Sequence, residues 1–300
     1  MANFTLKQLR YFEALAAQGH FGRAAELCNV SQPALSMQIK ELEEQLGTPL
    51  FERTARQVRL TGFGEAFSGH ARAVLRGADE LSDMARVAQE RLIGRLRLGV
   101  IPTIAPYLLP AVIKGLSARY VGLDIHVRET LTSKLLADLE AGKIDAAIVA
   151  LPVSEPAFTE VALFEERFVL VRPLAQKGEP VPSAEGLREM RLLLLEEGHC
   201  FRDQALSFCG VPQLRTRDGL DASSLSTLVQ MVGAGIGVTL IPQMAVPVET
   251  RSADVSVAQF RNGEPRRTVG MIWRKSSPLA EQFEEVAEVV REAADGLTAG

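Results

Sequence analysis

Residues 198–210, GHCFRDQALSFCG, carry two of the three cysteines of a 300-residue chain, nine positions apart. A thiol can attack a peroxide or disulfide as its thiolate, ligate a metal, or lie inert in a core, and its neighbours decide which. His199 and Arg202 flank Cys200 within one helical turn, and cationic neighbours favour the reactive thiolate. Cys209, between Phe208 and Gly210, has no such help. The asymmetry fits Cys200 as the attacking thiol and Cys209 as the resolving one.

Spacing limits how the two could meet. On a helix, nine steps would hold the Cα atoms about 13.5 Å apart, and on a strand about 30 Å. A disulfide needs roughly 4.4–6.8 Å. The pair is therefore either folded back already or must refold locally to bond, in which case oxidation is a conformational switch. A structural bridge, two core thiols and metal ligation compete with this reading. A reducing cytoplasm disfavours the first, and apolar surroundings, which the second needs, are absent. His20, His70 and His126 show no ligand spacing to the pair, so neither metal nor cofactor is expected.

The rest of the chain must position these groups. Its length predicts two or more domains. A hydrophobic fraction of 47%, a charged fraction of 23% and a net charge of −4 describe an ordinary soluble protein whose nucleic-acid site, where it has one, is local. The leading residues MANFTLKQLRYFEALAAQG lack a signal peptide's apolar run and cleavage site, and no stretch approaches ~18 apolar residues. The expectation is a cytoplasmic protein with no membrane partner.

Thr5-Leu6-Lys7-Gln8 has the form of a capping box opening a helix that stops near Gly19. Phe21–Leu27 reads as a short second helix, followed by a turn at Cys28-Asn29-Val30. Ser31 caps a third, SQPALSMQIKELEEQLG, with Pro33 in its first turn. Leu35, Ile39, Leu42 and Leu46 form its core stripe, and the other side presents Gln32, Pro33, Ser36, Met37 and Lys40. Such a face suits a recognition helix, where amide and hydroxyl groups meet base edges or phosphates. PLFERTARQVRLT then reads as a hairpin carrying Arg53, Arg56 and Arg59 for the phosphate backbone or minor groove. A small helical bundle with a charged hairpin is the competing account.

The ordered pattern AA-x-x-C-N-V-SQPALS-x-QI-x-x-LE-x-x-LG-x-x-LFER-x-x-R-x-V-x-LT-x-x-G resembles the DNA-binding signature of LysR-type transcriptional regulators. The resemblance implies a winged helix-turn-helix over 1–62, double-stranded promoter DNA as partner, Gln32, Pro33, Ser36 and Lys40 at the DNA, and Arg53 and Arg56 on its backbone or minor groove. A linker helix over 63–91 carries an apolar stripe, Phe67, Ala71, Val74, Leu75, Ala78, Leu81 and Val87, too long to bury on so small a unit. Pairing with another chain is the natural outcome. From 92 to 300, strands alternate with helices, which predicts parallel α/β units. This part resembles the two-lobed, periplasmic-binding-protein-like effector domain of the same regulators, with one lobe over about 92–163 and 268–300 and the other over about 164–267.

L-x-x-E-x-GHC-x-RDQA-x-x-FC is similar to the redox segment of the hydrogen-peroxide-sensing branch of that family, and IPT-x-x-PYLLP, MV-x-AG-x-G-x-TL-x-P and EPRRT-x-G extend the similarity. It implies that peroxide meets Cys200 in the interlobe cleft, with Thr103 and Thr132 hydrogen-bonding it and Arg267 nearby. The sulfenic acid formed is then captured by Cys209, and the rearrangement alters how subunits pair as a dimer of dimers and how promoters are activated or repressed. RNA polymerase and a thiol reductant of glutaredoxin or thioredoxin type are the further partners. Helix capping by either threonine, and an exposed strand-end charge for Arg267, are the competing structural roles. A regulator answering to a small organic inducer and a thiol peroxidase with an appended DNA-binding unit are the competing functions; the expectation is a sensor rather than an enzyme.

Overall fold

The computed structural model describes residues 4–53, 57–87, 94–209, 221–260 and 265–298, which form two compact units, 1–88 and 89–300. In the first, α1 (Leu6–Gln18) begins at the Thr5 capping box, in which Thr5 Oγ1 accepts from the Gln8 amide and Gln8 reaches back to Thr5 N, and it ends at Gly19 in the left-handed conformation. α2 (Phe21–Leu27) is capped by His20, whose Nδ1 accepts from the Gly22 amide at 3.0 Å. Histidine is an unusual cap, and no pattern in the sequence announced it. α3 (Gln32–Leu46) starts at Ser31 and stops at Gly47. β1 (Phe51–Arg53) and β2 (Val58–Leu60) pair antiparallel as the wing.

The wing is tied to α3 by Glu43, whose Oε1 accepts from the backbone amides of Leu50 (2.9 Å) and Phe51 (3.1 Å). α4 (Gly62–Val87) then passes so close to the wing that a Cβ at Gly64 would lie 2.2 Å from the Leu50 carbonyl. Phe67, Ala71 and Leu75 of α4 join the core of Leu9, Phe12, Leu15, Leu35, Ile39 and Leu42. On the same helix Val74, Leu81 and Met84 are exposed.

In the second unit β3 (Gly94–Val100), α5 (Ala105–Arg119), β4 (Leu123–Glu129), α6 (Thr132–Glu140) and β5 (Ala146–Leu151) form the expected parallel α/β units: β3 pairs in parallel with both β4 and β5. Beyond these units the main sheet departs from the expected parallel pairing. β6 (Phe158–Pro173) is one 16-residue strand running through both lobes, and its neighbours are antiparallel to it.

After β6 come α7 (Ala184–Glu189), β7 (Leu194–Leu195), α8 (Cys200–Cys209), β8 (Asp221–Ala222), α9 (Leu225–Gly233), β9 (Thr239–Pro242), α10 (Val246–Glu249), β10 (Val255–Ala258), β11 (Arg266–Arg274) and α11 (Ala280–Thr298). Among the described residues the strand order is β10-β6-β11-β5-β3-β4, with β9 also on β6. A sheet fed from both directions by one long strand joins the lobes through β6 and β11, and the cleft lies beside that junction. One lobe packs Leu98, Val100, Leu108, Ile148, Trp273 and Phe283. The other packs Phe168, Leu170, Leu195, Phe201, Leu206, Leu228 and Ile241. No helix is long and apolar enough to cross a membrane among the described residues.

Candidate functional sites

On α3 the two faces separate as their chemistry requires. Leu35, Ile39 and Leu42 are fully buried, Gln32, Pro33, Met37 and Lys40 are exposed, and Ser36 is half-buried. Lys40 Nζ lies 3.5 Å from Glu44, one turn on, in an exposed pair that water keeps weak. Arg56 and the side chain of Arg53 lie outside the described residues. Arg59 is exposed on β2, with its Nε donating to Gln57 at 3.0 Å.

The thiol site is assembled from three chain segments. Cys200, half-buried, is the first residue of α8, where aligned peptide dipoles favour negative charge. A cavity of ≈ 10 Å³, the room of about one water-sized molecule, is lined by Cys200, His199 and Phe201 from one lobe and by Thr103 and Thr132 from the other. Neither threonine is a helix cap: α5 and α6 begin after Ile104 and Leu131, which make no side-chain cap bond. Thr132 Oγ1 is buried and has no hydrogen-bond partner among the described residues. A buried hydroxyl without a partner is costly, and each such group calls for an explanation.

Thr103 is held differently. Arg267 donates from Nη1 to its Oγ1 at 2.8 Å and from Nη2 to its carbonyl at 3.0 Å. Because that hydroxyl oxygen already accepts, its proton is free to be donated toward the cavity. Arg267 is not an exposed strand-end charge. Its side chain is fully buried and stacked near Phe168 and Phe201 (5.9 and 5.7 Å to the ring centroids), and it is paired at 2.6 Å with Glu166, its cross-strand neighbour on β6. Burial pushes the Glu166 carboxyl up, with Arg267 opposing. The Met244 amide donates to its other oxygen at 3.2 Å. Glu166 was missed in the sequence, where it is one acidic residue of a strand whose partner lies 101 positions away.

The flanking residues need correction. Arg202, two steps along α8, is turned by about 200° from Cys200 and is absent from the cavity wall. It is buried, and its Nη1 donates to the Leu195 carbonyl at 2.6 Å and to Asp221 at 2.9 Å, fastening α8 to β7 and β8. His199 does line the cavity, but burial holds its pKa below the ordinary value, with Glu196 opposing, so it stands there as a neutral imidazole near pH 7. The pair of cations inferred from sequence is therefore not what surrounds the thiol.

Cys209 is the last residue of α8, fully buried, and burial pushes its thiol up to about 11, with Arg188 opposing. Arg188 Nε donates to the Cys209 carbonyl. Both thiols are free. With α8 helical from one to the other, their Cα atoms stand about 13.5 Å apart. Of the two geometries that the spacing left open, this is the one that cannot bond without refolding. Among the described residues no cluster of His, Cys, Asp and Glu could hold a metal.

A DNA-reading helix-turn-helix joined to a two-lobed α/β domain with a small cavity between its lobes defines a bacterial regulator that carries its own sensor. The chain belongs to the LysR family: residues 6–65 match the bacterial regulatory helix-turn-helix of that family and residues 89–295 the LysR substrate binding domain. It is 43% identical over 295 residues to the DNA-binding transcriptional dual regulator OxyR of Escherichia coli K12, covering 97% of this chain and 96% of that one. To a probable hydrogen peroxide-inducible genes activator of Streptomyces viridosporus it is 44% identical over 299 residues, covering 96% and 94%. Among solved structures, full-length OxyR of Pseudomonas aeruginosa with a Cys-to-Asp substitution superposes with a TM-score of 0.76 at 37% identity, covering 96% of this chain and 98% of that one. A Cys-to-Ser mutant of Corynebacterium glutamicum OxyR with bound H2O2 superposes at 0.69 and 36%, covering 98% and 94%.

Proposed function

We propose that the chain is a hydrogen-peroxide-sensing, DNA-binding transcriptional regulator of oxidative-stress genes, acting in the cytoplasm as a homo-oligomer. The observation that carries this reading is the cavity at Cys200: it has room for about one water-sized molecule, and Thr132, whose hydroxyl is unpartnered among the described residues, and Thr103, held by Arg267, are among the residues that line it. Peroxide, two bonded oxygens, is about twice a water's size, so its entry requires the wall to give slightly, and it needs such donors. The Cys200 thiolate attacks one oxygen, the O–O bond breaks, and the departing hydroxide takes a proton to leave as water. Thr103 and Thr132 hold the oxygens, and Arg267 supplies positive charge through Thr103 as negative charge moves to the leaving oxygen.

The sulfenic acid then condenses with the Cys209 thiol, forming the S–S bond and releasing a second water. Because α8 cannot remain intact while this bond exists, residues 199–210 refold and alter how effector domains pair. Gln32, Pro33, Ser36 and Lys40, with Arg53 and Arg56 of the wing, contact promoter DNA, and RNA polymerase reads the change in geometry. A glutaredoxin- or thioredoxin-type dithiol resets the bridge, so each reduced pair consumes about one peroxide and the protein acts as a sensor rather than an enzyme. A small organic inducer, which fills some 300 Å³ or more, has no room beside Cys200.

Mass spectrometry of the full chain before and after stoichiometric peroxide tests this. Loss of two protons with a Cys200–Cys209 linked peptide is the expected result, together with loss of peroxide-dependent promoter activation in Cys200→Ser. An unchanged promoter response in that variant would overturn the reading.

A further inference from the structure

A second pocket of ≈ 430 Å³ has Glu166, the partner of Arg267, in its wall. Its wall is built from the start of α5, the middle of β6, the 243–248 segment and the end of α11, and its apolar lining includes Tyr107, Phe164, Met244, Val248 and Leu297. Its volume falls in the range of small-molecule sites, about 300–1,000 Å³. Val248 and Leu297 at its rim are 55% and 41% exposed.

Its polar groups are already engaged. Glu166 is bound by Arg267 and by the Met244 amide, and Glu165 accepts from the Thr268 hydroxyl. Tyr107 donates to the buried Glu249 at 2.6 Å. The wall also carries Arg167, which has partners of its own, so the charges around the pocket largely offset one another and a charged guest gains little: an anion meets Glu165 and Glu166 beside Arg167, and a cation must displace Arg267. The Gln243 side chain, also in the wall, is uncharged.

The geometry points to a binding site for a small, uncharged, predominantly apolar molecule, seated against Phe164 and Met244 and separate from the cavity at Cys200. Its occupant bears on the thiol site through one short chain of contacts. Met244 forms pocket wall and donates to Glu166, Glu166 holds Arg267, and Arg267 holds Thr103 in the cavity at Cys200. A guest that moves Met244 therefore changes how Thr103 is presented, and with it the rate of the first oxidation step rather than the closure of the disulfide. The binding site stands independently of the peroxide reading, whereas this coupling rests on it.

The probe is N-phenyl-1-naphthylamine, a neutral apolar dye that fluoresces when shielded from water, titrated into the reduced full chain. Saturable binding to one site per chain is expected, weakened at least tenfold in both Val248→Trp and Leu297→Trp, which fill the pocket from exposed rim positions and so spare the core. Cys200→Ser should bind the dye like the parent, which keeps this result separate from any failure of the thiol chemistry. Saturating dye should change the rate of peroxide-dependent thiol loss at least twofold in the parent and leave it unchanged in Val248→Trp. Absence of saturable binding, or equal binding in the parent and both tryptophan variants, overturns the site; binding without any rate change overturns the coupling.

Discussion

Replacing Thr132 by valine should move stability and reactivity in opposite directions. The buried Oγ1 has no hydrogen-bond partner among the described residues, so removing it relieves a desolvation penalty. An unsatisfied buried hydroxyl costs about 1–3 kcal/mol. The lower end applies here because the cavity has room for about one water. The reduced protein should therefore gain about 1 kcal/mol, or roughly 2–4 °C in Tm for a domain of this size. Reaction with peroxide should slow, because a hydrogen bond to an oxygen gaining charge is worth about 1.5–3 kcal/mol, or roughly 10- to 150-fold in rate. Urea unfolding of the reduced protein gives the first quantity, and loss of the reactive thiol under excess peroxide, followed by rapid quench and alkylation, gives the second. Thr132→Ser, which keeps the hydroxyl, should retain most of the rate. A valine variant that is less stable and reacts as fast as the parent would show that the hydroxyl serves the fold, and would refute the assignment of Thr132 to peroxide.

Cys209 should make stability fall at high pH. Its folded-state thiol titrates near 11 against an ordinary value of 9.0, so between these values the unfolded chain has lost a proton that the folded chain keeps. Stability should then drop by about 2–3 kcal/mol across pH 9 to 11 relative to Cys209→Ala; parallel curves for the two proteins would contradict the burial. Burial also depresses the His199 pKa, so its contribution is complete above the ordinary value of 6.5 and is lost as pH falls below it; His199→Asn should flatten that limb in urea titrations. Arg202→Met removes the fastening of α8 to Leu195 and Asp221, and should speed disulfide formation several-fold while leaving the first oxidation step within twofold, as separated by trapping the sulfenic acid. Gln32→Ala should weaken specific operator binding about 10-fold and leave binding to unrelated DNA unchanged, measured by fluorescence anisotropy at fixed salt.

The N-terminal unit was readable because its signals are local. Thr5, Ser31, Gly19 and Gly47 each act within four residues of the helix end they mark, and the stripe Leu35, Ile39, Leu42 depends only on helical period. His20 escaped because histidine is a rare cap residue, and Glu43 because its backbone partners lie seven and eight positions away. In the effector unit the full length of β6, Phe158–Pro173, is not legible, because the acidic pair Glu165 and Glu166 interrupts its apolar pattern. Those two residues sit where the strand passes from one lobe to the other, and Glu166 is turned inward to meet Arg267. Cys200, Thr103 and Thr132 could be brought together only through the family resemblance, since nothing in their spacing places three segments around one cavity. Arg202 was misjudged for a simpler reason: adjacency in sequence was read as adjacency in space, and helical phase separates the two.

The energetics of α8 bear on why such a device would sense peroxide without turning it over repeatedly. Closing the proposed bridge must take Phe201, Leu206 and Cys209 out of their present packing, all of them buried in the lobe core. At about 1.5–3 kcal/mol for each large apolar side chain, the loss is of the order of 5 kcal/mol. Ring closure over ten residues restricts the chain by only about 2–3 kcal/mol, and that restriction is not a driving force for unfolding the helix. The reduction of peroxide to water must therefore drive the rearrangement, and cleavage of the bond by a dithiol lets the core drive it back. Phe201 adds a second consequence, since it lines the Cys200 cavity and packs near the Arg267 guanidinium that presents Thr103. Once α8 refolds, the cavity loses a wall and Arg267 loses one of its stacking partners. The oxidised protein would then no longer hold the site that reacts with peroxide, and a second turnover has to wait for external reduction.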